Sequence, residues 1–286
     1  MDRQRPALFA KGGNRHGSQA PDGVHKRDNG MTVFFFLLLA GFFFIPASAY
    51  AWGPLTHMFL GNEILSFAPL LPAGVYSIIR KYRQDFLYGN LMADIIIGKK
   101  YMPREKNSHS WAVGMSLIES SCNSQQKAFS LGYLSHLAAD TVAHGILTEH
   151  KRNIGHTFYE IKADSIVDKS YWFQAVAIDK VVQKRNDIFM ERSLERFLFS
   201  FKTNKRIFKG MFLLSLLNNE RMSDFIDNNA YVKSVPDRKK IELLHEISID
   251  RIIDVLNNGK NSSVMKDSPR CRKLPRRFNK ISFGRY

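Results

Sequence analysis

The sequence predicts an all-α protein built as a single multi-helix domain. Apolar residues recur three and four positions apart over several segments, which is the spacing of one helix face. The alternation of apolar and polar residues that is typical of half-buried strands is hard to find anywhere in the chain. At 286 residues, of which 44% are hydrophobic, the chain is long enough to bury a sizeable core.

The first element is an apolar segment followed by a processing signal. Val33–Ile45 is an apolar run of 13 residues. A membrane-spanning helix needs about 20 apolar residues, whereas the hydrophobic region of a signal peptide needs about 7–15. The small-x-small pattern of Ala49–Ala51 is one that signal peptidase accepts. We therefore expect cleavage between Ala51 and Trp52 and a secreted or periplasmic protein; an uncleaved anchor or a buried hydrophobic hairpin is the alternative. Translation could begin at Met1 or at Met31.

The mature chain then reads as a series of helices. The first begins at Pro54, because proline is tolerated in a first helical turn. Loops are expected near residues 98–107, 145–155 and 228–236, where Asn, Gly, Pro and charged residues accumulate. The chain is thus divided into a cleaved extension (1–51), an all-helical domain (52–258) and a basic tail (259–286). The further predicted helices are Leu131–His144, Ile178–Phe201, Phe208–Phe225 and Lys239–Leu256.

The net charge of +16 is unevenly distributed. Lys260–Tyr286 carries 9 basic residues and 1 acidic residue. Residues 52–259 carry 27 basic residues and 22 acidic residues, which nearly balance. Such a tail attracts anionic lipid headgroups, nucleic acid or acidic glycans without choosing among them. A solvated and partly disordered end is the simpler interpretation.

The two cysteines, Cys122 and Cys271, cannot build a disulfide framework or a thiolate zinc finger. Any metal must therefore be held by nitrogen and oxygen atoms. We expect Cys122 to be a small core residue.

Histidines and carboxylates are concentrated in one part of the chain. Six of the nine histidines lie within residues 57–156. His136, Asp140 and His144 are four residues apart and would share one helix face. Their neighbours are Leu, Ala and Val, so the three polar side chains would point into an apolar interior and need a partner. Zinc is the natural partner.

A second pair repeats this spacing. His156 and Glu160 are four residues apart and can close a three-ligand site with His144, which leaves one position for water. His150 and His245 have no carboxylate partner in this pattern, and we interpret both as ordinary residues.

These residues resemble the zinc-dependent phospholipase C family and its relatives, the three-zinc single-strand nucleases of fungi and plants. In that family the mature chain begins with a tryptophan whose free amine and carbonyl oxygen bind metal, and the predicted cleavage would expose Trp52. The resemblance runs from Trp52 to about Asp164. The motifs that carry it are Trp52-Gly53-Pro54-Leu55-Thr56-His57, Gly89-Asn90-Leu91-Met92-Ala93-Asp94, His109-Ser110-Trp111, His136-x3-Asp140-x3-His144 and His156-x3-Glu160.

The resemblance implies a cleft that holds three zinc ions. It also implies that Asp94 is the general base or the group that orients the attacking water. The ligand sets that it implies are Asp94, His109, His136 and Asp140 for one ion, Asp140 with Trp52 and His57 for another, and His144, His156 and Glu160 for the third.

The resemblance leaves three functions open. The first is a phospholipase C that acts on glycerophospholipids and contacts anionic membrane surfaces through the basic tail. The second is a nuclease or nucleotidase, which is favoured by the five-residue step from Trp52 to His57. The third is a zinc-binding protein that is not a catalyst or that acts on another phosphoester. The oligomeric state is not predicted.

Overall fold

The computed structural model describes residues 52–95, 107–144, 153–193, 202–206, 208–209 and 237–270. This part of the chain is mostly helical and contains no strand, so the all-α prediction is confirmed. The predicted signal peptide lies outside the described residues. The helices are α1 (Pro54–Ile64), α2 (Ala73–Lys81), α3 (Arg83–Ile95), α4 (Trp111–Glu119), α5 (Ser124–Val142), α6 (Asn153–Ile166), α7 (Ser170–Val176), α8 (Lys180–Ser193) and α9 (Arg238–Asn258).

Helix α5 is the centre of the fold. It packs against α3, α4 and α9, and every residue from Ala128 to Val142 is buried. Its start is set by Asn123, whose side-chain oxygen accepts a 2.9 Å hydrogen bond from the amide nitrogen of Gln126. The sequence pattern detects this helix only from Leu131 onward because the first turns are more polar and less buried.

Helices α3 and α5 cross in backbone contact. A Cβ atom at Gly89 would lie 2.1 Å from the carbonyl oxygen of Phe129. One at Gly132 would lie 1.9 Å from the carbonyl oxygen of Phe86. Because no side chain fits at either crossing point, glycine is required for this approach. The crossing places the end of α3 beside the second half of α5, where the predicted metal ligands lie.

The later predicted helices are confirmed in part. Lys239–Leu256 is confirmed as α9, and Ile178–Phe201 begins as α8. Residues 202–206 are also helical. Apart from residues 208–209, Phe208–Phe225 lies outside the described residues.

The chain continues in packed structure after α9. Two 3₁₀ turns, Gly259–Asn261 and Ser263–Lys266, follow directly, and Val264 is buried. The side chain of Asp267 pairs with Arg251 on α9 at 2.7 Å. The first part of the predicted basic tail therefore lies against the helices, whereas residues 271–286 are outside the described residues. The predicted domain boundaries stay predictions.

The expectation that Cys122 belongs to the core is wrong. Cys122 is exposed because it lies in the short connection between α4 and α5 and not on a buried helix face; its Sγ lies 3.5 Å from the carbonyl oxygen of Ser120. Among the described helices, none combines the length and the apolar character needed to cross a membrane.

Candidate metal centre

Five of the predicted ligands lie together in the interior. They come from four separate segments: α1, the end of α3, the residues before α4, and α5. Each is at most 2% exposed, so the cluster is shielded from bulk water. These residues are His57, Asp94, His109, His136 and Asp140.

Three of these side chains, from His109, His136 and Asp140, form a close triangle of donor atoms, and Asp94 lies against its two histidines. His109 Nε2 lies 3.1 Å from His136 Nε2, 3.1 Å from Asp94 Oδ1 and 3.0 Å from Asp140 Oδ2. His136 Nε2 lies 3.8 Å from Asp94 Oδ1 and 3.3 Å from Asp140 Oδ2. Four ligands at about 2.0–2.1 Å from a tetrahedral zinc ion are separated by about 3.3 Å. The triangle of His109, His136 and Asp140, with sides of 3.0–3.3 Å, therefore has the spacing of ligands on one zinc ion.

Asp140 faces two sides of the cluster. Its Oδ2 points to His109 and His136, whereas its Oδ1 lies 3.2 Å from His57 Nε2. The rings of His57 and His136 stack with centroids 3.7 Å apart and an interplanar angle of 17°. His57 therefore lies beside the triangle of His109, His136 and Asp140, at a place where the Asp140 carboxylate could connect two ions.

Hydrogen bonds to the far side of the His136 and His109 rings orient their donor atoms. His136 Nδ1 donates to the carbonyl oxygen of Asn90 at 2.7 Å. Ser108 Oγ donates its only proton to the carbonyl oxygen of Ala93 at 2.9 Å, so at the 3.1 Å contact with His109 Nδ1 the ring is the donor. In both neutral rings the lone pair is consequently on Nε2. Two lone pairs that face each other are repulsive, and a cation between them removes the repulsion.

Burial and proximity set the charges of the cluster without metal. Burial lowers the pKa of His57, and the nearby His136 lowers it further. Burial also acts to lower the pKa of His136, but Asp140 and Asp94 outweigh it and raise that pKa. Burial would raise the pKa of Asp140, whereas His136 and His109 bring it well below its usual value. The protonated form of His136 and the ionised form of Asp140 therefore favour each other in the absence of metal, and a metal ion bound to His136 Nε2 would displace any proton on that atom.

Residues 56–208 match the family model for zinc-dependent phospholipase C. The chain belongs to the zinc-dependent phospholipase C family. Curated proteins and solved structures gave no significant match. The matched range contains every predicted site residue except Trp52. Membership indicates a zinc-dependent hydrolase and confirms the resemblance seen in the sequence.

The buried polar atoms of this phospholipase C-like centre fit a metal. Both ring nitrogens of His57 and both carboxylate oxygens of Asp140 are buried without a hydrogen-bond partner. Buried polar atoms without a partner are costly, and a nitrogen and oxygen donor set of this kind suits zinc. The two groups of buried donors, His57 with Asp94 and His136, and His109 with His136 and Asp140, can therefore hold zinc.

The third predicted ligand set is only partly described. His144 is buried just beyond α5, one turn after Asp140, and Glu160 is half-buried on α6. The side chain of His156 lies outside the described residues. The grouping of these three residues around an ion stays a prediction.

Trp52 is anchored through its indole ring. Its Nε1 donates to the carbonyl oxygen of Ala139 at 3.1 Å and to Ser248 Oγ at 3.2 Å. The ring meets the edge of His245 with centroids 4.9 Å apart. His245 lies outside the ligand cluster. The indole of Trp52 is bound to Ala139, the residue of α5 that precedes Asp140.

Sequence reasoning missed three residues that support the site. Asn90 and Ser108 orient the two histidine rings, and no spacing in the sequence indicates this because the contacts join different segments. Asp164 was also missed, although it continues the four-residue spacing of His156 and Glu160 on α6. That spacing is a signal that could have identified it.

Proposed function

We propose that the mature protein is a secreted or periplasmic phospholipase C. It cleaves glycerophospholipids on the glycerol side of the phosphodiester and leaves diacylglycerol and a phosphorylated headgroup. The observation that carries the proposal is a buried cluster in which the Nε2 atoms of His109 and His136 each lie 3.0–3.8 Å from carboxylate oxygens of Asp94 and Asp140, inside the part of the chain that matches the family.

The ligand assignments extend this set to three ions. Asp94, His109, His136 and Asp140 would hold one ion, and Asp140 would also bind an ion held by His57 and by the amine and carbonyl oxygen of Trp52. His144, His156 and Glu160 would hold the remaining ion. Zinc, when bound, lowers the pKa of water to about 7 and neutralises charge on the phosphate.

The chain's own residues orient and protect the reaction. Asp94 turns Oδ1 towards the donor set while its Oδ2 lies 4.0 Å from His57 Nε2, so one carboxylate can bind metal and accept a proton from a water beside it. The nearly complete burial of the donor atoms excludes bulk water and strengthens electrostatic interactions. No serine nucleophile is needed in such a site.

The terminal amine of Trp52 is a suitable ligand only after processing. An α-amino group titrates near 7.7–8.0, so a metal can displace its proton near neutral pH. An amide nitrogen of an uncleaved chain has no free lone pair for this role. Cleavage after Ala51 would therefore couple export to assembly of the site.

A nuclease or nucleotidase is the second candidate. The five-residue step from Trp52 to His57 resembles the nucleases more closely, and a water activated by zinc could attack the phosphodiester of a nucleic acid as well as that of a lipid. The basic tail would suit either an anionic membrane surface or nucleic acid. We favour the membrane surface because the family match is to phospholipase C.

The two functions can be separated by parallel assays. Mature protein that begins at Trp52, supplied with zinc, is offered phosphatidylcholine vesicles and single-stranded DNA. We expect release of the phosphorylated headgroup without cleavage of DNA. The Asp94→Asn variant should remain helical and lose turnover by orders of magnitude, whereas Asp250→Asn, an exposed change on α9, should retain it.

Each other outcome counts against the proposal. Cleavage of DNA without release of headgroup would establish the nuclease. Zinc binding without hydrolysis of either substrate would favour the third function, a zinc-binding protein that is not a catalyst or that acts on another phosphoester. Near-normal activity of Asp94→Asn would remove this residue from the mechanism.

A further inference from the structure

Asp164 is a buried carboxylate that the zinc assignments do not use. It lies on α6, one turn after Glu160, and is 4% exposed. Its Oδ1 accepts hydrogen bonds from the amide nitrogen of Thr56 at 2.9 Å and from Thr56 Oγ1 at 2.8 Å. Its Oδ2 accepts from the amide nitrogen of Leu55 at 3.3 Å. All three donors belong to the first turn of α1.

The first turn of α1 needs an acceptor from elsewhere in the fold. Its cap residue is Gly53, which has no side chain to accept a hydrogen bond, and Pro54 has no amide proton. Leu55 and Thr56 therefore carry the first two amide protons, and both go to Asp164. The next amide, that of His57, donates to the carbonyl oxygen of Gly53 at 3.1 Å. Asp164 thus completes the start of the helix.

The fit between Asp164 and the chain is close. A Cβ atom at Gly53 would lie 2.2 Å from Oδ2 and 2.4 Å from Oδ1 of Asp164. The backbone φ of Gly53 is −72°, which any residue can adopt, so the requirement for glycine is one of space. Any side chain at this position would displace the carboxylate from the amides that it binds.

The chemistry of Asp164 suits positioning better than metal binding. Both of its oxygens are already occupied by hydrogen-bond donors, and within the described residues it belongs to neither group of possible metal ligands. Burying a carboxylate is costly, and an asparagine or serine could cap an ordinary helix. Only a carboxylate offers acceptors on both oxygens for three donors at once.

The hydrogen bonds of Asp164 join the start of α1 to α6, and each of these two segments carries proposed zinc ligands. Trp52 and His57 lie on either side of the bound turn. Glu160 lies one turn before Asp164 on α6. The indole of Trp52 is held separately by α5 and α9, so its backbone is the part that Asp164 must control.

We propose that Asp164 is a positioning residue whose carboxylate holds the turn between Trp52 and His57 so that both can bind the same zinc ion. This inference rests on the proposed function, because it takes the terminal amine of Trp52 as a ligand. It adds a residue that touches neither metal nor substrate and that acts through the backbone of α1.

The test compares zinc binding by variants of the mature protein. Asp164→Asn removes the charge and one of the two acceptor oxygens. Thr56→Val removes only the hydroxyl donor, and Gly53→Ala pushes the carboxylate away. Zinc affinity is measured by competition with a chromophoric chelator, and the visible spectrum of the cobalt-substituted protein reports the coordination of each site. Circular dichroism checks that each variant is folded.

We expect Asp164→Asn to remain helical and to bind one zinc ion about 10–100-fold more weakly, as for other residues that orient metal ligands. Gly53→Ala should also lower the affinity for this zinc ion, and Thr56→Val should lower it by a smaller factor. The matched control is Asp237→Asn, which makes the same change of charge at the exposed side-chain cap of α9 and should leave every zinc affinity unchanged.

Two results would overturn the inference. One is a folded Asp164→Asn protein with wild-type affinity and cobalt spectrum at every site. The other is an equal loss at all sites, which indicates a general structural role. If Asp164→Asn does not fold, Thr56→Val and Gly53→Ala decide in the same way.

Failure of the proposed function has a different signature. If wild-type protein binds zinc identically whether it begins at Trp52 or retains Ala51, the terminal amine is not a ligand and the proposed function loses that site. If the wild type requires the free amine while Asp164→Asn behaves like the wild type, only the inference fails.

Discussion

Gly132 lies so close to Phe86 that a Cβ atom at position 132 would be 1.9 Å from the Phe86 carbonyl oxygen. This contact sets the separation of α3 and α5. Asn90 and Asp94 lie further along α3, and each reaches the ring of His136 on α5. The metal centre therefore depends on a glycine that is not one of its ligands.

Gly132→Ala should destabilise the protein although alanine is the better helix former. The added methyl group forces two backbones apart, and overpacking of this kind costs about 1–3 kcal/mol or more. Urea unfolding measures the loss. The matched control is Gly74→Ala on α2, where nothing lies within 4 Å of the added atom. It should be neutral or stabilising by up to about 1 kcal/mol, and equal effects of the two changes would contradict the close crossing.

Asp140→Asn should reduce the number of zinc ions bound per chain. An amide keeps the size of the side chain, but its nitrogen cannot bridge to a second ion as a carboxylate oxygen does. We expect elemental analysis to show the loss of at least one ion while the helical signal persists. Glu191→Gln, an exposed change on α8, serves as the control. Full occupancy in Asp140→Asn would show that this residue does not bridge.

Ser108→Ala should weaken zinc binding without removing a ligand. His109 Nδ1 then loses its hydrogen-bond acceptor, so the ring can rotate or place its proton on the donor nitrogen. Such changes typically reduce metal affinity about 10–100-fold. Competition with a chelator measures this, and Ser116→Ala, on the exposed side of α4, should have no effect.

His245→Phe should make metal-free protein less sensitive to acid. Burial lowers the pKa of His245 from 6.5 to about 4, so the folded state binds fewer protons than the unfolded state between these values. The contribution of His245 to the free energy of unfolding is therefore fully present above pH 6.5. It decreases as the pH falls from 6.5 through 4, by about 3 kcal/mol in total. Phenylalanine between Trp52 and Phe59 has no such proton to bind.

The measurement is the free energy of unfolding in chelator at a series of pH values. The difference between His245→Phe and wild type should grow in favour of the variant on acidification. Parallel pH profiles for the two proteins would show that His245 is not kept neutral by burial.

Local patterns in the sequence were enough for the helical class and for the pairing of ligands within one helix. His136 and Asp140 fall on one face because the period of a helix is a property of the backbone, and their donor atoms are 3.3 Å apart. The same period predicted α9 almost to its ends, and Pro54 marked the start of α1. The order of ligand motifs also identified the family.

Only the tertiary structure decided which ligands from different helices meet. His57, Asp94 and His109 come from segments far apart in sequence, and their distances depend on how helices pack. The glycine crossing of α3 and α5 and the hydrogen bonds that Asp164 makes to α1 are contacts between segments. Periodicity describes one helix at a time, because its repeat follows from local backbone geometry. The separation of two helices follows from side-chain volumes and shared hydrogen bonds, which no single segment contains.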